Sequence, residues 1–158
     1  MRVPLDGGST ERLPGSGISN SGGGLSENIA LSPDGRTIAF VAAFGDPKKG
    51  SLDQKVGLVQ VGTNSQTPPR LMNADQNATS VVQFTPDGKA VAYAVANGGV
   101  DNVWMQPLDG SKGHQVTNFT SGRIISFCWS PSGKFLALVR SESTSDVVLL
   151  RDSSAEPK

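Results

Sequence analysis

The chain has no surplus of charge, one cysteine, one histidine and no long apolar run, and each shortage removes a class of function. Fourteen basic residues balance fourteen acidic ones over 158 residues, so the net charge is zero at neutral pH. The basic stripe of a nucleic-acid binder is therefore missing. No stretch approaches the roughly 18 consecutive apolar residues of a membrane span. The start, "MRVPLDGGST", lacks the charged opening and apolar stretch of a secretion signal. Cys128, the single cysteine, excludes an intrachain disulfide and leaves the redox compartment open. What the chain does have is glycine, 19 residues, and proline, 10 residues. That composition suits many short strands joined by turns.

Three stretches are near copies: "LSPDGRTIAF" (31–40), "FTPDGKAVAY" (84–93) and "WSPSGKFLAL" (129–138). Their prolines, Pro33, Pro86 and Pro131, stand 53 and 45 residues apart, a period that suits one small four-stranded sheet per copy. Proline presets the first corner of a type I turn, Asp or Ser tolerates the second, and glycine takes the left-handed position that returns the chain as a hairpin. A strand is thus expected on each side of every turn. The strands after the turns, "TIAFVA", "AVAYAVA" and "FLALVR", are apolar on both faces, so both faces are expected to be buried. In 90–96, alanines alternate with Val91, Tyr93 and Val95, and the small side chains would let a neighbouring sheet approach closely.

A third strand follows in each copy: "KVGLVQV" (55–61), "NVWMQPL" (102–108) and "DVVLLRD" (146–152). Counted from the turn prolines, Leu58, Trp104 and Leu149 are near-equivalent, with a seven-residue insertion in the first copy. Short outer strands are expected at 69–72 and 114–117, where prolines and polar residues suit an exposed edge. Residues 2–13 align with 105–116 and read as the outer two strands of a sheet without its inner two. The last copy lacks the outer strand. The expected organisation is an incomplete blade over 1–13, blades over 29–72, 81–117 and 124–152, and a tail over 153–158.

The repeated "SPDG…IAF" and "TPDG…VAY", followed by "VWMQPLDG", resemble the WD-like PD (PD40) repeat of bacterial TolB-type β-propellers; the Gly-His and Trp-Asp marks of true WD40 repeats are absent. The resemblance implies an all-β fold, a β-propeller arc of about three four-stranded blades plus a half-blade at the amino terminus. The stretch "VTNFTSGRIISFCWSPSGKFLALVRSESTSDVVLLRD" is similar to the last blades behind bacterial serine/threonine kinase or winged-helix domains. Propellers close with roughly four to eight blades. An arc of three therefore implies either a fragment of a longer propeller, the reading ranked first, or a homodimer closing one ring of about six blades.

The strand order of such blades separates two rims. One carries the tight turns. The other gathers residues 14–28, 44–55, 73–80, 96–102 and 118–123, and function is usually presented on loops held by a rigid scaffold. Asp46, Lys48, Lys49, Asp53, Asp75, Asn77, Asp101 and Arg123 are the candidate contacts of this rim for a protein, peptide or other ligand. The competing explanation for each is a solvated loop charge.

Signs of chemistry are few. His114 falls on an expected outer strand with no second His or Cys to form a metal set, and it reads as structural or exposed. Cys128 reads as buried packing on an innermost strand, and Trp104 and Trp129 read as core. "GSGISNSGGG" (15–24) lacks the Lys-Ser/Thr of a phosphate loop, and no Gly-x-Ser-x-Gly elbow occurs. The kinase Gly-rich loop and catalytic loop are missing as well. No catalytic residue, metal or cofactor is expected. The function expected is a non-catalytic binding or scaffolding module. The alternatives are an accessory sensor or gating region of a larger enzyme, of kinase or prolyl-oligopeptidase type, and a self-assembling propeller fragment. The compartment stays open.

Overall fold

The computed structural model describes residues 3, 5–10, 28–46, 51–62 and 68–143. Ten strands run in chain order: β1 (Ile29–Leu31), β2 (Thr37–Asp46), β3 (Ser51–Gln60), β4 (Arg70–Asn73), β5 (Ala78–Phe84), β6 (Ala90–Asn97), β7 (Val100–Pro107), β8 (His114–Gln115), β9 (Arg123–Trp129) and β10 (Leu136–Ser141). They form three antiparallel meanders: β1-β2-β3-β4, β5-β6-β7-β8, and the pair β9-β10. The expected third strand of the last meander, 146–152, lies outside the described residues, as do 11–13 of the amino-terminal half-blade. Within 5–10 the chain turns at Leu5–Asp6, and the Gly8 N–H donates to Asp6 Oδ1 at 3.4 Å.

The turns explain why the meanders repeat. Ser32 Oγ donates to Asp34 Oδ1 at 2.6 Å and accepts the Thr37 N–H at 2.8 Å, while the Arg36 N–H also reaches Asp34 Oδ1. The second copy repeats every bond: Thr85 Oγ1 to Asp87 Oδ1 at 2.6 Å, Ala90 N–H to Thr85 Oγ1 at 3.0 Å, Lys89 N–H to Asp87 Oδ1 at 3.0 Å. In the third copy Ser132 replaces the aspartate, and only the Phe135 N–H to Ser130 Oγ bond at 3.1 Å and a 3.3 Å hydroxyl contact remain. Gly35, Gly88 and Gly133 hold φ of 71°, 67° and 69°, the left-handed region that the turn requires. These bonds make Thr37, Ala90 and Phe135 structurally equivalent.

From that anchor the strands can be matched residue by residue. Phe40 and Tyr93 are equivalent. Phe40 pairs with Gly57, and Tyr93 with Trp104. Trp104 therefore corresponds to Gly57, not to Leu58, and the first hairpin carries six extra residues, not seven. A side chain's face alternates with period two, so a one-residue slip would turn Leu58 away from the core. Instead Leu58 is buried facing the second meander.

Two cores lie between the three sheets. One joins Ala30, Ala39, Val41, Val56 and Leu58 of the first sheet to Ala78, Val82, Phe84, Val91, Tyr93 and Val95 of the second. The other joins Ala92, Ala94 and Val103 of the second sheet to Ile124 and Phe127 of the third. The alanine face expected to permit close approach is the face that the third sheet covers. Each fully buried large side chain in these layers contributes about 1.5–3 kcal/mol. The innermost strands are neighbours, β5 lying against β1 and against β9. Sheets stacked face to face with their first strands inward form consecutive blades.

Cys128 departs from expectation. It is exposed. It pairs with Ala137, and both residues sit on the face of the third blade that points away from the second. Among the described residues nothing covers that face.

Candidate functional site

The rim opposite the turns is built from hairpin tips and blade-to-blade connections. The β2–β3 hairpin continues two residue pairs past the point equivalent to Asn97, to Asp46 and Ser51. At about 3.4 Å per residue this tip projects roughly 7 Å beyond its neighbour. The β6–β7 connection is shorter than the loop expected over 96–102. It is a two-residue turn, Gly98-Gly99, with φ of 57° and 85°. Two left-handed residues twist the chain in the sense the flanking strands need.

The candidate contacts divide into three groups. Asp46 closes β2, its backbone opposite Ser51, and Lys48 and Lys49 lie outside the described residues. Asp53 is exposed on β3, 3.6 Å from Lys55, whose ammonium also donates to Asn73 Oδ1 at 2.8 Å. Asp75 and Asn77 are taken up in fixing the β4–β5 connection to the second blade, and Asp101 and Arg123 in joining the second blade to the third. The Asn77 N–H donates to Asp75 Oδ1 at 2.9 Å, and Asn77 Nδ2 donates to Asn97 Oδ1 at 2.8 Å. Asp101 stands on β7 rather than in a loop and is only 2% exposed. Its Oδ2 accepts the Ile124 N–H at 2.9 Å, its own N–H donates to the Gly122 carbonyl at 3.0 Å, and Arg123 Nε lies 2.7 Å from Oδ1. The neighbouring Asn102 accepts the Phe119 N–H at 2.7 Å and the Thr117 hydroxyl at 3.0 Å, which fixes the loop from β8 to β9.

A cleft of about 520 Å³ lies between the first two blades, lined mostly by residues not offered as candidate contacts, Asp75 excepted. Its length follows β4 and the two residues after it, from Arg70 to Asp75, and its far wall is Trp104, Gln106 and Gly110–Gly113. Tyr93 forms the buried floor, its Oη accepting the Asp75 N–H at 3.2 Å. Burial pushes the Tyr93 phenol above its ordinary 10.0, with the Asp75 backbone bond opposing. Arg70 crosses the gap, donating to the Leu108 carbonyl at 2.9 Å, and Lys112 is exposed at the mouth. Gly113 is required there, because a side chain would collide with the Trp104 indole and the Met105 carbonyl. One sequence signal marked this wall: Trp104 is aromatic where the first copy has glycine.

His114 is exposed on β8, as expected. Among the described residues no three His, Cys, Asp or Glu side chains gather as a metal set, and no helix is long and apolar enough to cross a membrane.

Antiparallel meanders packed face to face, inner strand beside inner strand, define a β-propeller arc. Among the solved structures it matches are β-propeller regions of TolB and of acylaminoacyl peptidases. TolB from Acinetobacter baumannii is 23% identical, with a TM-score of 0.54, over 75% of this chain and 27% of that one. An acylaminoacyl peptidase from Pyrococcus horikoshii is 15% identical, with a TM-score of 0.54, over 80% of this chain and 19% of that one. An acylaminoacyl peptidase in complex with Z-Gly-Gly-Phe-chloromethyl ketone is 14% identical, with a TM-score of 0.52, over 82% of this chain and 19% of that one. The chain thus spans about a quarter of the TolB and a fifth of the peptidases. No protein-family model matches the sequence, and no curated protein matches it.

Proposed function

We propose that the chain is a non-catalytic binding and scaffolding module, which holds a peptide or protein segment at its loop-rich rim and along the adjoining cleft between its first two blades. The observation that carries this reading is the composition of the cleft. It combines an aromatic wall at Trp104, beside the buried Tyr93 of the floor, with the hydrogen-bonding groups of Gln106, Arg70 and Lys112. Aromatic and arginine side chains in a partly desolvated groove are the usual anchors of protein interfaces. Among the described residues β4 pairs with β3 alone, so its other edge offers backbone donors and acceptors to an extended segment. Asp75 is the one candidate rim residue that also lines the cleft.

Panning a random peptide library against the full chain tests the proposal. Peptides should be enriched, and Lys112→Glu and Arg70→Glu should each weaken them at least tenfold. Failure to enrich any peptide, or enriched peptides indifferent to both charge reversals, would overturn it. A second reading, an accessory region of a larger enzyme, has in its favour the fold shared with the acylaminoacyl peptidases.

A further inference from the structure

Alternate residues of β4 turn their main-chain groups in opposite directions, and the register fixes which. The Ala74 N–H donates to the Gln54 carbonyl at 3.1 Å, one pair beyond the Lys55–Asn73 pair of the β3–β4 ladder. In an antiparallel ladder, pairs that exchange main-chain bonds alternate with pairs that do not. Met72 and Arg70 therefore bond β3, while Leu71 and Asn73 turn their N–H and carbonyl groups away from it. The Asp75 N–H, next in that outward row, is taken by the Tyr93 hydroxyl. Leu71 and Asn73 are exposed, and among the described residues no main-chain partner meets them on that side.

The second blade does not repeat this edge. β8 has two residues, and the Val116 N–H donates to the Val103 carbonyl, so His114 also bonds β7 and only Gln115 of the strand faces outward. A very short outer strand is one way in which proteins guard an edge, and β4 lacks that guard. The strand order places β4 on the outside of the arc, because the first strands are the ones that meet between blades. Further blades stack on faces and leave an outer edge uncovered. Side chains of a strand added to β4 would alternate between two faces, as those of β4 do. Arg70 and Met72 face the second blade: Met72 packs on the core the two blades share, and Arg70 donates to the Leu108 carbonyl at 2.9 Å. Every second side chain of the added strand faces the same way, into the cleft lined by Trp104, Gln106 and Lys112. The charged residues lining that cleft are Arg70, Lys112 and Asp75, and Asp75 Oδ1 already accepts the Asn77 N–H. The surplus is positive.

We infer, resting on the reading of the cleft as a peptide site, that its occupant is an acidic, extended segment of a partner protein. The segment adds to β4 as a fifth strand through main-chain bonds to Leu71 and Asn73, and it turns a carboxylate side chain toward Arg70 and Lys112. Main-chain bonds supply the affinity of such an added strand, and its alternate side chains supply the specificity.

The probe is the tightest peptide recovered from a random library panned on the full chain. It should contain Asp or Glu, and Asn or Gln in that place should weaken it at least tenfold. Methylating its backbone nitrogens one at a time should weaken it at least tenfold at alternate positions and leave the positions between them unchanged. On binding, hydrogen exchange should slow at the Leu71 and Asn73 amides and stay as it was at Met72 and Ala74. Leu71→Pro removes an outward N–H and no bond to β3, a place where an edge strand accepts proline. It should abolish binding and leave the circular dichroism spectrum unchanged. If that variant does not fold, the methylated peptides decide the test on the wild-type chain. A peptide that tolerates methylation at every nitrogen, or that carries no acidic residue, overturns the inference and leaves the cleft a peptide site. Recovery of no peptide overturns both.

Discussion

Arg123 holds its guanidinium Nε 2.7 Å from a carboxylate oxygen of Asp101, and the two residues belong to different blades. Arg123 is half exposed while Asp101 is sealed, so the carboxylate is the structural member of the pair. Asp101 also holds the Ile124 N–H, which starts the first strand of the third blade. Asp101→Ala strands that buried donor and should cost about 2–3 kcal/mol in chemical denaturation. Asp101→Asn keeps an acceptor oxygen and should cost less. Equal losses would contradict the clamp.

The turn aspartates should make the fold acid-sensitive. Asp34 and Asp87 titrate below the ordinary 3.8, first because of the Ser32 and Thr85 hydroxyl bonds and then because of the Arg36 and Lys89 backbone N–H groups. Asp109 is lowered chiefly by the Ser111 backbone N–H. A folded value below the unfolded one adds stability that is complete above 3.8 and disappears as the pH falls through the lower folded values. Denaturation midpoints followed down to pH 2 should fall, and the Asp34→Asn, Asp87→Asn double variant should show a flatter fall. Thr85→Val, which removes both the donor to Asp87 and the acceptor for Ala90, should cost about 1–2 kcal/mol at neutral pH. Thr85→Ser should restore most of it.

The hairpins and turns were legible because they depend on local chemistry. Pro-Asp-Gly with a hydroxyl before it specifies its own hydrogen bonds. The alanine stripe of β6 was legible for the same reason, since period-two alternation shows directly in the letters. Registers beyond the turn were not. The extra residues of the first hairpin were miscounted by one, because Gly57 has no side chain to mark its place opposite Phe40. The exposure of Cys128 was hidden because it depends on which blade follows, a relation between sheets. Asp101 reads as a loop charge until the third blade is packed on it. Of the cleft, Asp75 is among the candidate contacts and Trp104 reads as core from sequence; the other walls come from residues far apart in the chain.

Phe40 covers Gly57 so closely that any side chain there would overlap the ring. Gly57→Ala should therefore destabilise the protein by about 1–3 kcal/mol through overpacking. Phe40→Leu in the same chain should recover part of that loss. Simple additivity of the two changes would show that the ring and the glycine are not coupled.

The chain has one tyrosine, so its ionisation can be read without interference. Absorbance at alkaline pH should show Tyr93 titrating above 10.0, because burial, the largest influence, disfavours the phenolate. A folded value above the unfolded one gives stability that is present below the unfolded value and lost as the pH rises through the folded one. A reversible transition at or below 10.0 in the folded protein would place the ring in water.

Stacking of consecutive blades is the claim on which the rest depends, and nuclear Overhauser effects between side chains measure it most directly. Cross-peaks should join the second-blade group Ala92, Ala94 and Val103 to the third-blade group Ile124 and Phe127. If strand-pairing contacts within each meander are present while these inter-blade cross-peaks are absent, the meanders do not stack and the propeller arc is wrong.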